Sequence, residues 1–193
     1  MRLNPAKCTF AVEAGKFLGF MLTQRGIEAN PDKCQAILNM KSPTCVKEVQ
    51  QLNGRLAALS RFLAGAVIRS LPFYATLRKG KQFECTTECE QAFQDFKEFL
   101  GRPPIQSRPR EGEPLILYLA VGSWAIASAL VREDENVQQP VYFISKALQG
   151  SELNYQKIEK FAYTFILTSR RLRPYFQAHT IKVRTNQPIK GIL

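Results

Sequence analysis

From Pro114 onward the chain carries three short apolar runs, one long amphipathic run and a further short run. The short runs Leu115–Val121, Ala125–Arg132 and Pro140–Ser145 read as strands. Asn154–Phe176 has the length and spacing of a helix, and Thr180–Thr185 reads as a last strand. Three strands, a helix and another strand restrict this part to an α/β arrangement.

The part before it is mostly helical. Lys16–Ile27 reads as two short strands around a turn, with Gly15 and Gly26 as permissive backbone positions. Asn30-Pro31-Asp32 is a helix start with Pro31 at the first helical position, and that helix runs to about Met40. Val46, Val49, Leu52, Leu56, Leu59 and Leu63 follow the three-and-four spacing of an amphipathic helix over Thr44–Leu63. A shorter helix is expected within Ala66–Leu77, limited by Pro72, and Arg78–Lys81 reads as a basic turn. Thr87 and Glu90 fit a capping box, with Thr87 as N-cap. The helix behind them places Ala92, Phe93, Phe96, Phe99 and Leu100 on one face. The Pro- and Gly-rich stretch 101–113 is the expected boundary between a region 1–100 and a region 114–193.

Function is constrained mainly by charge. The formal net charge is +11, which makes a polyanion the default partner. The five cysteines are scattered and odd in number, with no secretory signal ahead of them, so reduced thiols in a cytoplasmic or nuclear setting are expected. Cys85 and Cys89 look like half of a zinc site, but the sole histidine, His179, lies far away, so no metal is expected there. His179 also has no serine or cysteine nucleophile to pair with, and no Gly-rich loop leads from a strand into a helix. No stretch is long and apolar enough for a membrane span.

The residues Leu3–Cys8, Phe17–Phe20, Gly26-Ile27, Asn30–Lys33, Lys47–Val49, Leu52–Gly54 and Arg61-Phe62 resemble the end of a gypsy-type long-terminal-repeat retrotransposon reverse transcriptase. Phe83-Glu84, Cys89-Glu90 and Ala92-Phe93 continue the resemblance. Pro140–Lys146, Tyr155, Glu159-Lys160, Leu172-Arg173, Tyr175-Phe176 and Arg184-Thr185 resemble the ribonuclease H-like domain that follows in such Pol polyproteins. Tyr118–Val121 and Tyr175–His179 are worded most like plant elements.

The resemblance implies an α+β molecule in which reverse-transcriptase thumb or connection helices precede a truncated ribonuclease H-like α/β domain. It puts Phe17, Leu18, Gly19 and Phe20 in a primer-grip hairpin and about Asn30–Leu77 in a thumb. It also implies that the polymerase acids lie upstream of Met1, and that the last strand and helices of the ribonuclease fold lie past Leu193, leaving one side of the sheet uncovered. Active members of the family hold magnesium with carboxylates. The corresponding positions carry Ala120, Phe161 and Asn186, with Glu159 as a residual acid two residues before Phe161. No catalytic residue and no cofactor are therefore expected.

The positive signal is basic. Lys160, Arg170, Arg171, Arg173, Lys182, Arg184 and Lys190 stand in a stretch without an acid, with Tyr175, Phe176 and His179 among them. In the first part Arg55, Arg61, Arg69, Arg78, Lys79 and Lys81 are further candidates for phosphate contact. For each of these, solvated surface charge is the competing reading. The expected partner is an RNA–DNA hybrid or duplex bound without sequence preference, with other Pol chains as a second class of partner and no membrane. Two alternatives stand beside this reading: an active hybrid ribonuclease subunit completed by another chain, and a remnant of a decayed element without function.

Overall fold

The computed structural model describes residues 10–17, 19–78, 85–102 and 105–185 with the single positions 4, 8 and 187, the side chains of 76–78 excepted. Three strands open the described part: β1 Gly15–Phe17, β2 Phe20–Thr23 and β3 Gly26–Ala29, an antiparallel sheet in that order. The sequence reading expects two strands here. The additional reversal falls at Gly19, whose φ of 81° is open to glycine and strained for other residues.

Asn30 caps α1 Pro31–Leu38, its side-chain oxygen accepting from the Asp32 N–H at 2.9 Å. In α2 Val46–Ala58 the side chains of Val49, Leu52 and Leu56 are buried. The sequence reading carries this helix on to Leu63; it ends five residues earlier, at Ala58, because the chain tightens into a 3-10 turn at Ser60–Phe62. The expected single helix after it is two, α3 Ala66–Arg69 and α4 Leu71–Arg78. The Ser70 N–H closes α3 by bonding back to Ala66 O, and Pro72, which has no N–H, sits where α4 begins. α5 Thr87–Gly101 is capped by Thr86, one residue before the expected cap, through a 3.3 Å bond from the Cys89 N–H. Glu90 instead accepts from Gln94, and its carboxyl is held below the usual range by bonds from Ser42 and Gln94. These helices enclose one apolar core, with Ile37, Leu52, Phe62, Phe73, Phe93 and Phe96 at its centre.

A second core lies under the larger sheet. Its strands are β4 Leu115–Val121, β5 Ala125–Asp134, β6 Val137–Ala147 and β7 Ile181–Arg184, in the order β6-β5-β4-β7. β4, β5 and β6 are an antiparallel meander, whereas β7 runs parallel to β4. A parallel neighbour needs a crossover, and the helices supply it. The long helix expected over Asn154–Phe176 is a 3-10 turn Gly150–Asn154, then α6 Lys157–Arg171, then α7 Arg173–Ala178. Pro174 explains the break after Arg171, since it cannot donate to the carbonyl four residues back. α6 lies across the sheet, and the buried hydroxyls of Ser128 on β5 and Thr168 on α6 meet at 2.8 Å. Leu115, Leu117, Leu130, Val141, Ile144 and Leu172 fill the space between them.

The two cores are stitched together. Ile27 and Gln106 exchange backbone bonds of 2.9 Å in both directions, and the Ser107 N–H reaches Pro140 O on β6 at 2.8 Å. The Val67 N–H donates to Ser145 Oγ of β6 at 3.1 Å. The edge strand β6 therefore has the 3-10 turn and α3 beside it, which covers an edge that would otherwise be open to pairing.

Candidate functional site

The end of β4 and the start of α6 lie side by side. Lys160 Nζ donates to Ser123 O, 3.3 Å away in the turn that follows β4. At this end Ala120 stands exposed on β4, opposite Ala127 of β5. Phe161 is only 5% exposed and belongs to the buried face of α6 with Thr164 and Thr168. Glu159, the remaining acid of α6, closes a capping box: its Oε2 accepts the Gln156 N–H at 2.7 Å. Asn186 lies outside the described residues.

Magnesium does not fit this donor set. An alanine methyl and a buried phenyl ring have no ligand atom, and the Glu159 carboxylate is engaged by the helix N-terminus. Among the described residues no group of three or more histidine, cysteine, aspartate or glutamate side chains is placed to hold a metal ion.

Glu152, which precedes α6, is likewise engaged. Its Oε1 accepts from Lys146 Nζ and, at 2.5 Å, from Tyr163 Oη, while the Gln149 N–H reaches Oε2 at 3.0 Å. Bonds from Lys146, Tyr163 and the Gln149 backbone pull its carboxyl down from 4.5 to about 2. Desolvation opposes the charge on Lys146, but its bonds to Glu152 and Tyr163 prevail and raise its pKa.

The basic residues divide into two groups. Arg61 is locked between the two cores: its Nε donates to Gln106 Oε1 at 2.8 Å, and its guanidinium lies 4.8 Å from the Phe20 ring centre and 4.5 Å from that of Tyr142. Gln106 is fully buried and returns a bond from its Nε2 to Arg61 O. Arg55 donates to Ala36 O at 2.5 Å. Lys160 is 7% exposed with its ammonium turned to Ser123, which removes it from the outer surface where the sequence reading puts it. Arg184 donates to Tyr118 Oη at 3.2 Å and reaches Glu133 at 3.5 Å. The second group, Arg170, Arg171, Arg173 and Lys182, is exposed. Of the expected hairpin, Phe17 is 60% exposed, Phe20 packs against the first core, Gly19 is half-buried, and Leu18 lies outside the described residues. Arg69 is exposed with its guanidinium 5.2 Å from the Phe99 ring centre. Lys79, Lys81, Lys190 and the Arg78 side chain lie outside the described residues.

Residues 85–183 match the family model described as the RNase H-like domain found in reverse transcriptase. The chain belongs to this family. The Retrovirus-related Pol polyprotein from transposon opus of Drosophila melanogaster is 30% identical over 98% of the chain, which spans 20% of that polyprotein. The chain thus covers about a fifth of the curated relative it matches. Among solved structures, the foamy viral protease-reverse transcriptase in complex with RNA/DNA hybrid superposes with a TM-score of 0.70 at 20% identity, covering 89% of this chain and 23% of that one. The foamy viral protease-reverse transcriptase dRH in complex with ds DNA gives 0.69 at 18% identity, covering 93% and 32%. At that identity the likeness establishes the fold, which is α+β.

Within the RNase H-like domain the matched residues run from α5 through the connecting segment and the sheet into β7. What sequence reasoning missed is a set of residues at the seam. Gln106, Tyr142 and Ser145 hold the helical part to the domain. Tyr142 and Ser145 fall within the Pro140–Lys146 run that carries the resemblance, but nothing local assigns them or Gln106 this role, because their partners are distant in the chain. Among the described residues no helix is long and apolar enough to cross a membrane.

Proposed function

We propose that the chain is part of a gypsy-type Pol polyprotein, in which thumb-like helices over residues 1–100 lead through 101–113 into an RNase H-like domain, 114–193, that binds nucleic acid without cutting it. The observation that carries this reading is the pair Ala120 and Phe161, side chains without a ligand atom where the resemblance puts metal-binding acids. Hydrolysis by two metal ions needs several carboxylates on the ions that clamp attacking and leaving oxygens. Glu159 alone does not supply that geometry, and it already caps α6. Arg170, Arg171, Arg173 and Lys182 support contact with a phosphate backbone. The foamy viral neighbours, solved with ds DNA and with RNA/DNA hybrid, support a nucleic-acid partner of the same kind. The wording of Tyr118–Val121 and Tyr175–His179 supports a plant-type element. A cytoplasmic or nuclear location agrees with five free thiols.

The test is degradation of a labelled RNA–DNA hybrid with magnesium or manganese, beside an active ribonuclease H. No cleavage above a chelator control is expected. Cleavage lost on Glu159→Gln would overturn the reading, since it would reveal a working site. The same preparation should bind the hybrid, with an affinity that falls steeply with salt and depends little on sequence.

A further inference from the structure

We infer that the nucleic acid, if the binding reading above holds, is gripped at the corner where α6 meets α7, by Arg170, Arg171 and Arg173. All three are exposed. They occupy the last turn of α6 and the first position of α7. No ion pair among the described residues involves them. Arg55, Arg61, Lys160 and Arg184 are by contrast each bonded within the molecule. No acid occurs between Lys160 and Lys190 to compete for these guanidinium groups.

The corner is rigidly built. Leu172, between the arginines, is buried and its N–H bonds to Thr168 O at 2.8 Å. The N–H groups of Tyr175 and Phe176 bond back to Leu172 O at 2.9 and 3.2 Å, and the Phe176 ring meets Phe165 edge-on at 5.9 Å. Three exposed guanidinium forks around this pinned junction suit phosphate oxygens, which accept such forks in pairs. Two of them also sit at the negative end of the α6 dipole. That interaction is with the helix backbone and leaves the forks exposed to a ligand.

The corner has a defined place relative to β4 and Phe161. The Lys160–Ser123 bond fixes the end of β4 beside the start of α6. Arg171 lies ten residues further along the helix than Phe161, a rise of about 15 Å. At the far end, His179 Nδ1 lies 3.1 Å from Glu113 O, just before β4 begins. The arginines therefore lie at the opposite end of the helix from Phe161 and from the end of β4 that carries Ala120.

The experiment is a salt series of binding titrations by fluorescence anisotropy with a labelled RNA–DNA hybrid. It compares the full chain, the triple variant Arg170→Gln/Arg171→Gln/Arg173→Gln, and Lys157→Gln, an exposed lysine at the other end of α6. The triple variant should lose up to about 2.7 from the log–log salt slope, roughly 0.9 per phosphate contact, while Lys157→Gln keeps it. Circular dichroism checks that the variants fold. If the triple variant does not fold, each single glutamine variant should lower the slope by about 0.9. Full-chain binding with slopes unchanged in all arginine variants would overturn the corner and leave the binding reading intact. Full-chain protein that does not bind at low salt would overturn both.

Discussion

At the residue scale, two side chains show how context redirects a charge. Arg61 and Gln106 satisfy each other across the seam, and the Arg61 guanidinium is stacked among Phe20, Phe62 and Tyr142. Removing the amide leaves a carbonyl and an N–H of a half-buried arginine without partners. Gln106→Ala is therefore expected to destabilise the chain by about 1–3 kcal/mol, read from urea denaturation. A loss below about 0.5 kcal/mol, the range of ordinary surface substitutions, would show that the pair is incidental. Glu152 gives a pH signature. Its folded-state carboxyl titrates near 2 instead of 4.5 because Lys146, Tyr163 and the Gln149 N–H bond to the ion. A depressed acid contributes stability that is complete above about 4.5 and disappears as the pH falls toward 2. Glu152→Gln should therefore flatten the dependence of stability on pH across that window. An equal slope in both proteins would remove Glu152 as its source. Neither behaviour is legible from sequence, since Arg, Lys and Glu look alike whether solvated or engaged until their distant partners are known. Ala120 and Phe161, by contrast, stand out only because a resemblance specifies what ought to be there.

At the scale of elements, most strands and helices follow from local pattern, and the departures have local causes. The sequence reading takes Asn154–Phe176 as one helix without weighing Pro174, where α6 and α7 are found. The cap at Thr86 rather than Thr87 reflects two adjacent threonines that compete for one role. The β5–β6 turn is Glu135-Asn136, both at positive φ, so the strands extend further than the apolar residues alone suggest. Gly26 is the position where an element is most vulnerable. Its φ is 140°, and an added methyl group would run into the backbone carbonyl of Gln106. Gly26→Ala should cost about 1–3 kcal/mol from backbone strain alone and open the Ile27–Gln106 pairing. Hydrogen exchange at those two amides measures it: faster exchange is expected, and unchanged protection would refute the account.

At the scale of the whole molecule, two apolar cores joined by several bonds should behave as one. Trp124, the sole tryptophan, is 54% exposed and lines a cavity of about 550 Å³ with Leu71 and Tyr74 of α4 and Leu148 beyond β6. Its fluorescence therefore reports on the place where the helical part meets the sheet. Tryptophan fluorescence and far-ultraviolet circular dichroism should give coincident thermal transitions. A fluorescence transition well ahead of the loss of helix would mean that the parts separate before either unfolds. The composition of residues 101–113 signals a boundary, but it carries no trace of the tertiary bonds that anchor the described part. Ile27, Pro140, Arg132 and Asp134 hold Gln106, Ser107, Glu113 and Arg110 in turn. That anchoring bears on how the chain meets a protease. Arg110 offers trypsin an exposed cleavage point, the bond after Arg108 being closed to it by Pro109, yet a peptide must detach from its neighbours and become locally extended to enter an enzyme's cleft. Clipping there should be governed by opening of the seam rather than by accessible arginine, and the nicked halves should stay associated until a denaturant parts them.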